Sequence, residues 1–203
     1  MGVAEALNTL LEPIRRKFTA PDLAALVEKA YPPAKPKIQA DISRVNIKVG
    51  RVISAILHPE APDRLYIEQI DVGESEPRTI VSGLSGLVPL EKLINRLVLV
   101  VVNMKPSNFK GVASNGMVLA ASNLDKSVVE LIDPPTDSVP GDQVTFEGYE
   151  FNPDAVLNPK HKVFEKVAVD LKVEGLIAKF KDVDFMTGKG NCTTESIVAG
   201  KIG

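Results

Sequence analysis

A chain of 203 residues with 44% apolar content is long enough for one sizeable domain or two small ones and can bury a real core. Its formal net charge of −2 excludes the strongly basic balance of a whole-surface nucleic-acid binder, so any such binding has to come from a local patch. The single cysteine, Cys192, excludes an internal disulfide and reads as a structural thiol; no Cys/His cluster has metal-ligand spacing, and no run approaches the roughly 18 apolar residues of a membrane span. The N-terminus is amphipathic and unlike a secretory signal, so the expected setting is cytosolic, with no membrane partner and no metal.

Taken in chain order, Val3, Ala6, Leu7, Leu10, Leu11, Ile14 and Phe18 fall at helical spacing with polar residues between them. Thr19-Ala-Pro-Asp22 then has the form of a second helix start, with Thr19 as N-cap and Pro21 in the first turn, and Leu23, Leu26 and Val27 supply an apolar side. Three prolines and two lysines within Tyr31–Lys37 end that pattern. The expected division is a helical segment over 1–31, a Pro/Lys linker over 32–40, a β domain over 41–149 and a C-terminal extension over 150–203.

After Asp41 the texture becomes short β-rich runs separated by Gly, Pro, Asp and Ser. Arg44–Leu57, Leu65–Val72, Arg78–Ser82, Arg96–Val102, Gly116–Ala121 and Gln143–Phe146 are the clearest, and their spacing predicts a small barrel. Val45, Ile47 and Val49 alternate with polar neighbours until Gly50, where the phase changes and a bulge or sharp coil is expected. From Asn152 onward a short helix is expected near His161–Val167, and strands at Leu176–Phe180, Val183–Met186 and Ser196–Val198.

Enzyme signatures are lacking: there is no phosphate-cradling loop, dinucleotide fingerprint, zinc-protease helix or nucleophile elbow. His58 precedes Pro59 in a turn and reads as a packing residue; His161 lies between Lys160 and Lys162, where a solvated or RNA-facing role is more natural than catalysis. Asp63, Asp71 and Asp133 read as turn residues. No catalytic residue and no cofactor are expected.

The stretch Asn103–Met117, NMKPSNFKGVASNGM, is different. No acid occurs between Glu91 and Asp125, whereas Lys92, Arg96, Lys105 and Lys110 do, which makes a local positive field. Ser107, Asn108, Ser114 and Asn115 can bond phosphate and ribose, Phe109 can stack on an exposed base, and Gly111 and Gly116 allow close backbone approach. Residue types alone leave a second reading open, a soluble hairpin loop with Phe109 and Met117 turned into the core. Arg51 is the best flanking cation.

At these residues a resemblance appears. Lys48-Val-Gly-Arg-Val-Ile, His58-Pro-Glu-Ala, Leu65-Tyr-Ile-Glu, Asp71-Val-Gly-Glu, Pro77-Arg-Thr-Ile-Val-Ser-Gly-Leu84, Asn103-Met-Lys-Pro and Gly111-Val-Ala-Ser-Asn-Gly-Met117 occur in order. Together with Asp133-Pro-Pro, Pro140-Gly-Asp and Asn158-Pro-Lys-His-Lys, they make residues 41–203 similar to the tRNA-binding domain of endothelial-monocyte-activating polypeptide II. Ala6–Phe18 and Ala30-Tyr-Pro32 resemble the end of the catalytic body of eukaryotic cytoplasmic tyrosyl-tRNA synthetases.

The resemblance implies a mainly β fold: a five-stranded OB-fold barrel with a small C-terminal α/β extension packed on it, preceded by the short helical segment. In relatives lacking the extension, barrels pair as dimers, and the extension imitates that interface, so the domain is expected to be monomeric. The implied function is non-catalytic binding of tRNA by backbone and shape, assisting a linked synthetase body or a multisynthetase complex. The alternative is a protein-interaction or cytokine-like module, released and secreted. Expected RNA-binding residues are Arg51, Lys105, Asn108, Phe109, Lys110, Ser114, Asn115, Lys160 and Lys162. The chain departs from the family pattern in a longer turn at Ala61–Arg64, in Lys110 where the family carries arginine, and in Asn108 where it often carries lysine; lysine keeps the charge without the planar fork.

Overall fold

An unbroken apolar run such as Leu97–Val102 suits a strand covered on both faces, and the computed structural model, which describes residues 41–203, folds it that way. The helical segment expected over 1–31 and the linker over 32–40 lie outside the described residues. Strands β1 (Ile47–Leu57), β2 (Tyr66–Asp71), β3 (Arg78–Ser82) and β4 (Leu97–Val101) are followed by a small hairpin, β5 (Ser107–Phe109) and β6 (Val112–Ser114), and by β7 (Met117–Val118). The main sheet is antiparallel in the order β3-β2-β1-β4-β7. Its edges meet where the Asn115 N–H donates to the Thr79 carbonyl at 2.9 Å, so the five strands form a nearly closed barrel of the expected OB type.

One face of β4 (Val98, Val100, with Val102 beyond its end) fills the barrel with Val52, Ile70, Ile80 and Val118. The opposite face, Leu99 and Val101, joins Ile47 and Val49 of β1 in a second core. That second core is completed from the C-terminal third of the chain. β8 (Ala120–Asn123) and β9 (Val129–Leu131) share one antiparallel sheet with β10 (Leu171–Glu174), β11 (Ile177–Phe180), β12 (Val183–Asp184) and β15 (Ala199–Ile202), in the order β12-β11-β10-β15-β8-β9. Helix α1 (Val163–Ala168) buries Val163, Phe164 and Val167 against it, and Phe146, Phe180 and Phe185 stack edge to face. The remaining short strands are β13 (Met186–Thr187) and β14 (Gly190–Asn191).

The phase change in β1 is real, but its irregularity sits later than expected. Register shifts between Val52 and Ser54, so the bulge falls at Ile53. Gly50 serves close packing instead: a Cβ there would lie 2.6 Å from Ile70 Cγ2 and 3.1 Å from Val100 Cγ2. Two further motifs explain each other. Gly73 (φ 76°) and Gly141 (φ 94°) pack backbone on backbone, and a Cβ on Gly73 would stand 2.7 Å from the Gly141 Cα.

Gln143–Phe146, expected as a strand, forms only isolated bridges, Lys48 with Gln143 and Thr145 with Met186. It is nonetheless tied to β1, with Val144 N–H on the Ile47 carbonyl at 2.9 Å. The strand expected at Ser196–Val198 is displaced to Ala199–Ile202, because Glu130 captures the preceding loop by accepting from the N–H groups of Glu195, Ser196 and Ile197. Asp133 is more than a turn residue: it forms a two-bonded ion pair with Arg96, at 3.0 and 2.8 Å.

Inside the barrel, Glu68 is fully buried. Its Oε1 accepts from Ser82 Oγ at 2.9 Å, while Oε2 has no partner, and burial pushes the carboxyl up to about 7 from its ordinary 4.5. The folded protein therefore holds a proton that the unfolded chain releases, and stability falls as pH rises from about 4.5 to about 7, by roughly 3 kcal/mol. Glu68→Gln keeps the shape without the charge. Urea unfolding should show the variant gaining on the wild type across that window and remaining more stable at pH 8; parallel pH profiles would contradict the assignment.

Candidate nucleic-acid interface

The segment that leaves β4 is anchored before it reaches solvent. Asn103 is buried; its Oδ1 accepts from Asn46 N–H at 2.9 Å, and its Nδ2 donates to the carbonyls of Arg44 and Asp154, each at 2.9 Å. The Leu157 N–H returns to the Asn103 carbonyl at 2.8 Å, and Arg44 grips Asp154 through Nε and Nη2 at 3.0 and 2.5 Å. One carboxamide thus joins the entrance of β1, the exit of β4 and the chain at 154–157.

Beyond this clasp Lys105 and Pro106 are exposed and the β5–β6 hairpin projects, with Ser107 opposite Ser114 and Phe109 opposite Val112. Lys110 (φ 48°) and Gly111 (φ 90°) form the two-residue turn with both residues left-handed, a form that matches hairpin twist. Asn108 Oδ1 accepts from the Gly111 N–H at 2.8 Å, so its carbonyl end holds the turn.

His58 holds the hairpin from below. Its Nδ1 accepts from the Glu60 N–H at 3.1 Å, which leaves Nε2 to carry the proton and donate to the Phe109 carbonyl at 3.0 Å. Lys110 Nζ donates to the Glu60 carbonyl at 2.9 Å. Phe109 remains 39% exposed, so its ring is offered to solvent, whereas Met117 packs partly against the core. The two residues therefore divide between the readings that the sequence left open.

The return strand closes the barrel. Ser114 is buried, with its hydroxyl accepting from Val81 N–H at 2.9 Å and donating to the Gly116 carbonyl at 3.1 Å. This places Ser114 apart from the exposed candidates, in a structural role. Arg78 supports the same closure: Nη1 donates to the carbonyls of Val102 and Asn115, while Nε and Nη2 hold Glu74 at 2.8 and 2.7 Å and keep its carboxyl below the ordinary value. Arg78 and His58 carry the site's geometry; the sequence marked His58 as a packing residue in a turn, and Arg78 only by its place in the ordered motifs.

Lys105 faces the C-terminal segment. A groove of about 190 Å³ is lined by Met104, Lys105 and Ser107 on one side and by Leu157, Asn158, Pro159, Val163, Phe164 and Glu165 on the other. Asn158 caps the short 3-10 turn Pro159–His161, which presents exposed Lys160, and Lys162 follows in a left-handed conformation. Lys105 thus lies across a groove from Asn158 and Pro159, where the turn carrying Lys160 begins, while Lys110 sits at the hairpin tip. Arg51 lies elsewhere, at the β1–β4 pairing, with Nη1 on the Asn95 carbonyl at 3.1 Å.

The electrostatic distinction lies in the ion pairs. Arg44, Arg78, Arg96, Lys172, Lys179 and Lys189 have carboxylate partners. Among the described residues no carboxylate pairs with Lys105, Lys110, Lys160 or Lys162. Their charge is available to an anion. Among the described residues no group of three His, Cys, Asp or Glu could hold a metal ion. Burial pushes the Cys192 thiol up to about 12, which makes it unreactive. No helix among the described residues is long and apolar enough to cross a membrane.

Residues 47–143 match the family described as "Putative tRNA binding domain". The cytoplasmic tyrosine–tRNA ligase of Gallus gallus is 46% identical over 216 residues, covering 99% of this chain and 41% of that protein. The aminoacyl tRNA synthase complex-interacting multifunctional protein 1 of Cricetulus griseus is 40% identical over 173 residues, covering 84% of this chain and 47% of that protein. The C-terminal domain of Plasmodium vivax p43 has the same fold, with a TM-score of 0.76 and 34% identity, covering 81% of this chain and 100% of its own. The chain therefore spans less than half the length of these curated relatives. The ligase match also takes in the N-terminal residues that resemble the end of a synthetase body.

Asn103→Ala removes three hydrogen bonds and leaves the partly buried Asn46 N–H and the Asp154 carbonyl without a partner, while the Arg44 carbonyl keeps the Asp154 N–H. Urea unfolding should show a loss of about 3 kcal/mol, with faster amide exchange in the hairpin; a loss under about 1 kcal/mol would mean that the clasp does not hold the site.

Proposed function

The chain belongs to the tRNA-binding domain family, and from that premise we propose that it is a non-catalytic appendix of a longer, cytoplasmic aminoacyl-tRNA synthetase, holding tRNA by backbone and shape. The observation that carries this reading is the placement of four exposed lysines without carboxylate partners, Lys105 and Lys110 on the acid-free hairpin stretch and Lys160 and Lys162 on the turn that begins across the groove from Lys105. Phosphate contacts of this kind position an RNA without reading its sequence. Asn108, Asn115 and the Phe109 ring add polar and stacking groups along the same hairpin.

Weak binding of this sort is useful through linkage. A Pro/Lys spacer of the composition found at 32–40 converts a modest affinity into a high effective concentration of tRNA at the attached catalytic body. The extensive match to a tyrosine–tRNA ligase supports a synthetase as the body, and the match to a complex-interacting protein supports a multisynthetase assembly as its wider setting. The C-terminal sheet covers the outer face of β1 and β4 within one chain, which favours a monomeric domain.

With roughly four phosphate contacts, tRNA affinity should fall with salt at a log–log slope near −3. Lys105→Ala/Lys110→Ala should weaken binding on the order of tenfold and flatten the slope by about 1.4. Titration of labelled tRNA across a salt series measures both, and an unchanged affinity and slope in the double variant would remove the hairpin from the site.

A further inference from the structure

The concave side of the hairpin is not a lysine surface. It opens on a groove of about 510 Å³, walled by Phe109, Met104 and Met117 on the hairpin side and by Leu84 and Leu87 across from it, with Ser107, Ser82 and Ser122 among its polar groups. Lys105 is the one charged side chain in its lining, which Gly203, the last residue, also borders. The volume lies in the range of sites that enclose a small organic ligand.

We propose that this groove receives one unstacked nucleotide of the bound RNA, its base against Phe109 and the two thioethers and its phosphate at Lys105. The inference rests on the tRNA-binding reading and adds which form of RNA the site takes. Three features select that occupant. A flat ring and polarisable sulfurs offer π-face contact to any base, without sequence preference. The lone cation at the rim complements a phosphate, whereas an apolar peptide segment would leave it without a partner. Paired RNA presents shallow base edges and cannot insert a base into a concavity, so the occupant comes from a loop, a bulge or an end.

The wall is also preorganised. His58 and Lys110 tie the β5 side of the turn to the loop at 58–60, so the backbone that carries Phe109 is held before RNA arrives.

The test uses the full 203-residue chain with two probes: a short single-stranded RNA carrying 2-aminopurine, and a blunt RNA duplex of equal phosphate count. Gly83 lines the groove, is exposed, and a Cβ added there meets nothing within 4 Å, so Gly83→Phe fills the groove without changing charge. Phe109→Ala removes the stacking wall at an exposed position. Single-strand affinity should drop about tenfold in each variant, with loss of the fluorescence change seen on wild-type binding, while duplex affinity stays within about twofold.

If both variants bind the single strand as the wild type does, the groove takes no nucleotide, and an apolar peptide becomes its better occupant. Equal losses for single strand and duplex would overturn the inference as well. Lys105→Ala/Lys110→Ala separates the two levels. Loss of tRNA in that variant with an indifferent Gly83→Phe leaves the appendix reading standing and removes only the nucleotide groove; retention of tRNA by the double variant removes the hairpin reading itself. Matching thermal unfolding midpoints establish that Gly83→Phe is folded, and Phe109→Ala decides the question alone if they differ.

Discussion

The two-faced burial of β1 and β4 is the constraint from which the other features follow. Ile47, Val49, Leu99 and Val101 point away from the barrel interior, yet all are fully buried. A barrel that leaves four large aliphatic side chains on its outer surface requires a cover. Here the cover is the sheet that β8 and β9 share with β10 to β12 and β15, so the C-terminal third completes a second core against the back of the barrel. The same pairing sets where β4 ends, and therefore where the segment carrying Asn103 and the hairpin leaves the sheet.

Rigidity and charge are consequently separated along a short stretch of chain. Asn103, His58, Ser114 and Arg78 are buried or bound on several sides, and they define a frame. Lys105, Phe109 and Lys110 stand on that frame and remain exposed. Elsewhere several cations are neutralised locally. Lys179, Lys172 and Lys201 are in register across β11, β10 and β15, where like charges would repel, but Asp184 pairs Lys179, and Glu174 and Asp182 pair Lys172. A net charge of −2 is thus compatible with one usable positive surface.

Local patterns in the sequence identified the barrel strands because their signals are local: alternation in β1, an apolar run in β4, and Gly and Pro between strands. The hairpin stretch was legible for a similar reason, since lysines without nearby acids can be counted along the chain. What escaped depends on distant partners. Glycine at position 50 marks a close approach of Ile70 rather than the bulge at Ile53, and the approach is visible only when β2 lies beside β1. Ser114 resembles a phosphate donor until Val81 is seen to donate to its hydroxyl. The last strand is displaced because Glu130, more than 60 residues away in sequence, holds the loop before it. Arg51 has the right charge, but strand pairing puts it away from the hairpin.

Hydrogen exchange of the full chain with and without tRNA locates the RNA on this surface, because the hairpin residues are exposed and lie on a rigid frame. On binding, exchange should slow across Ser107–Ala113 and Asn158–Lys162, with no change on the outer face of β10 and β11. Protection confined to the lysine row of β10, β11 and β15, with the hairpin unaffected, would contradict this placement.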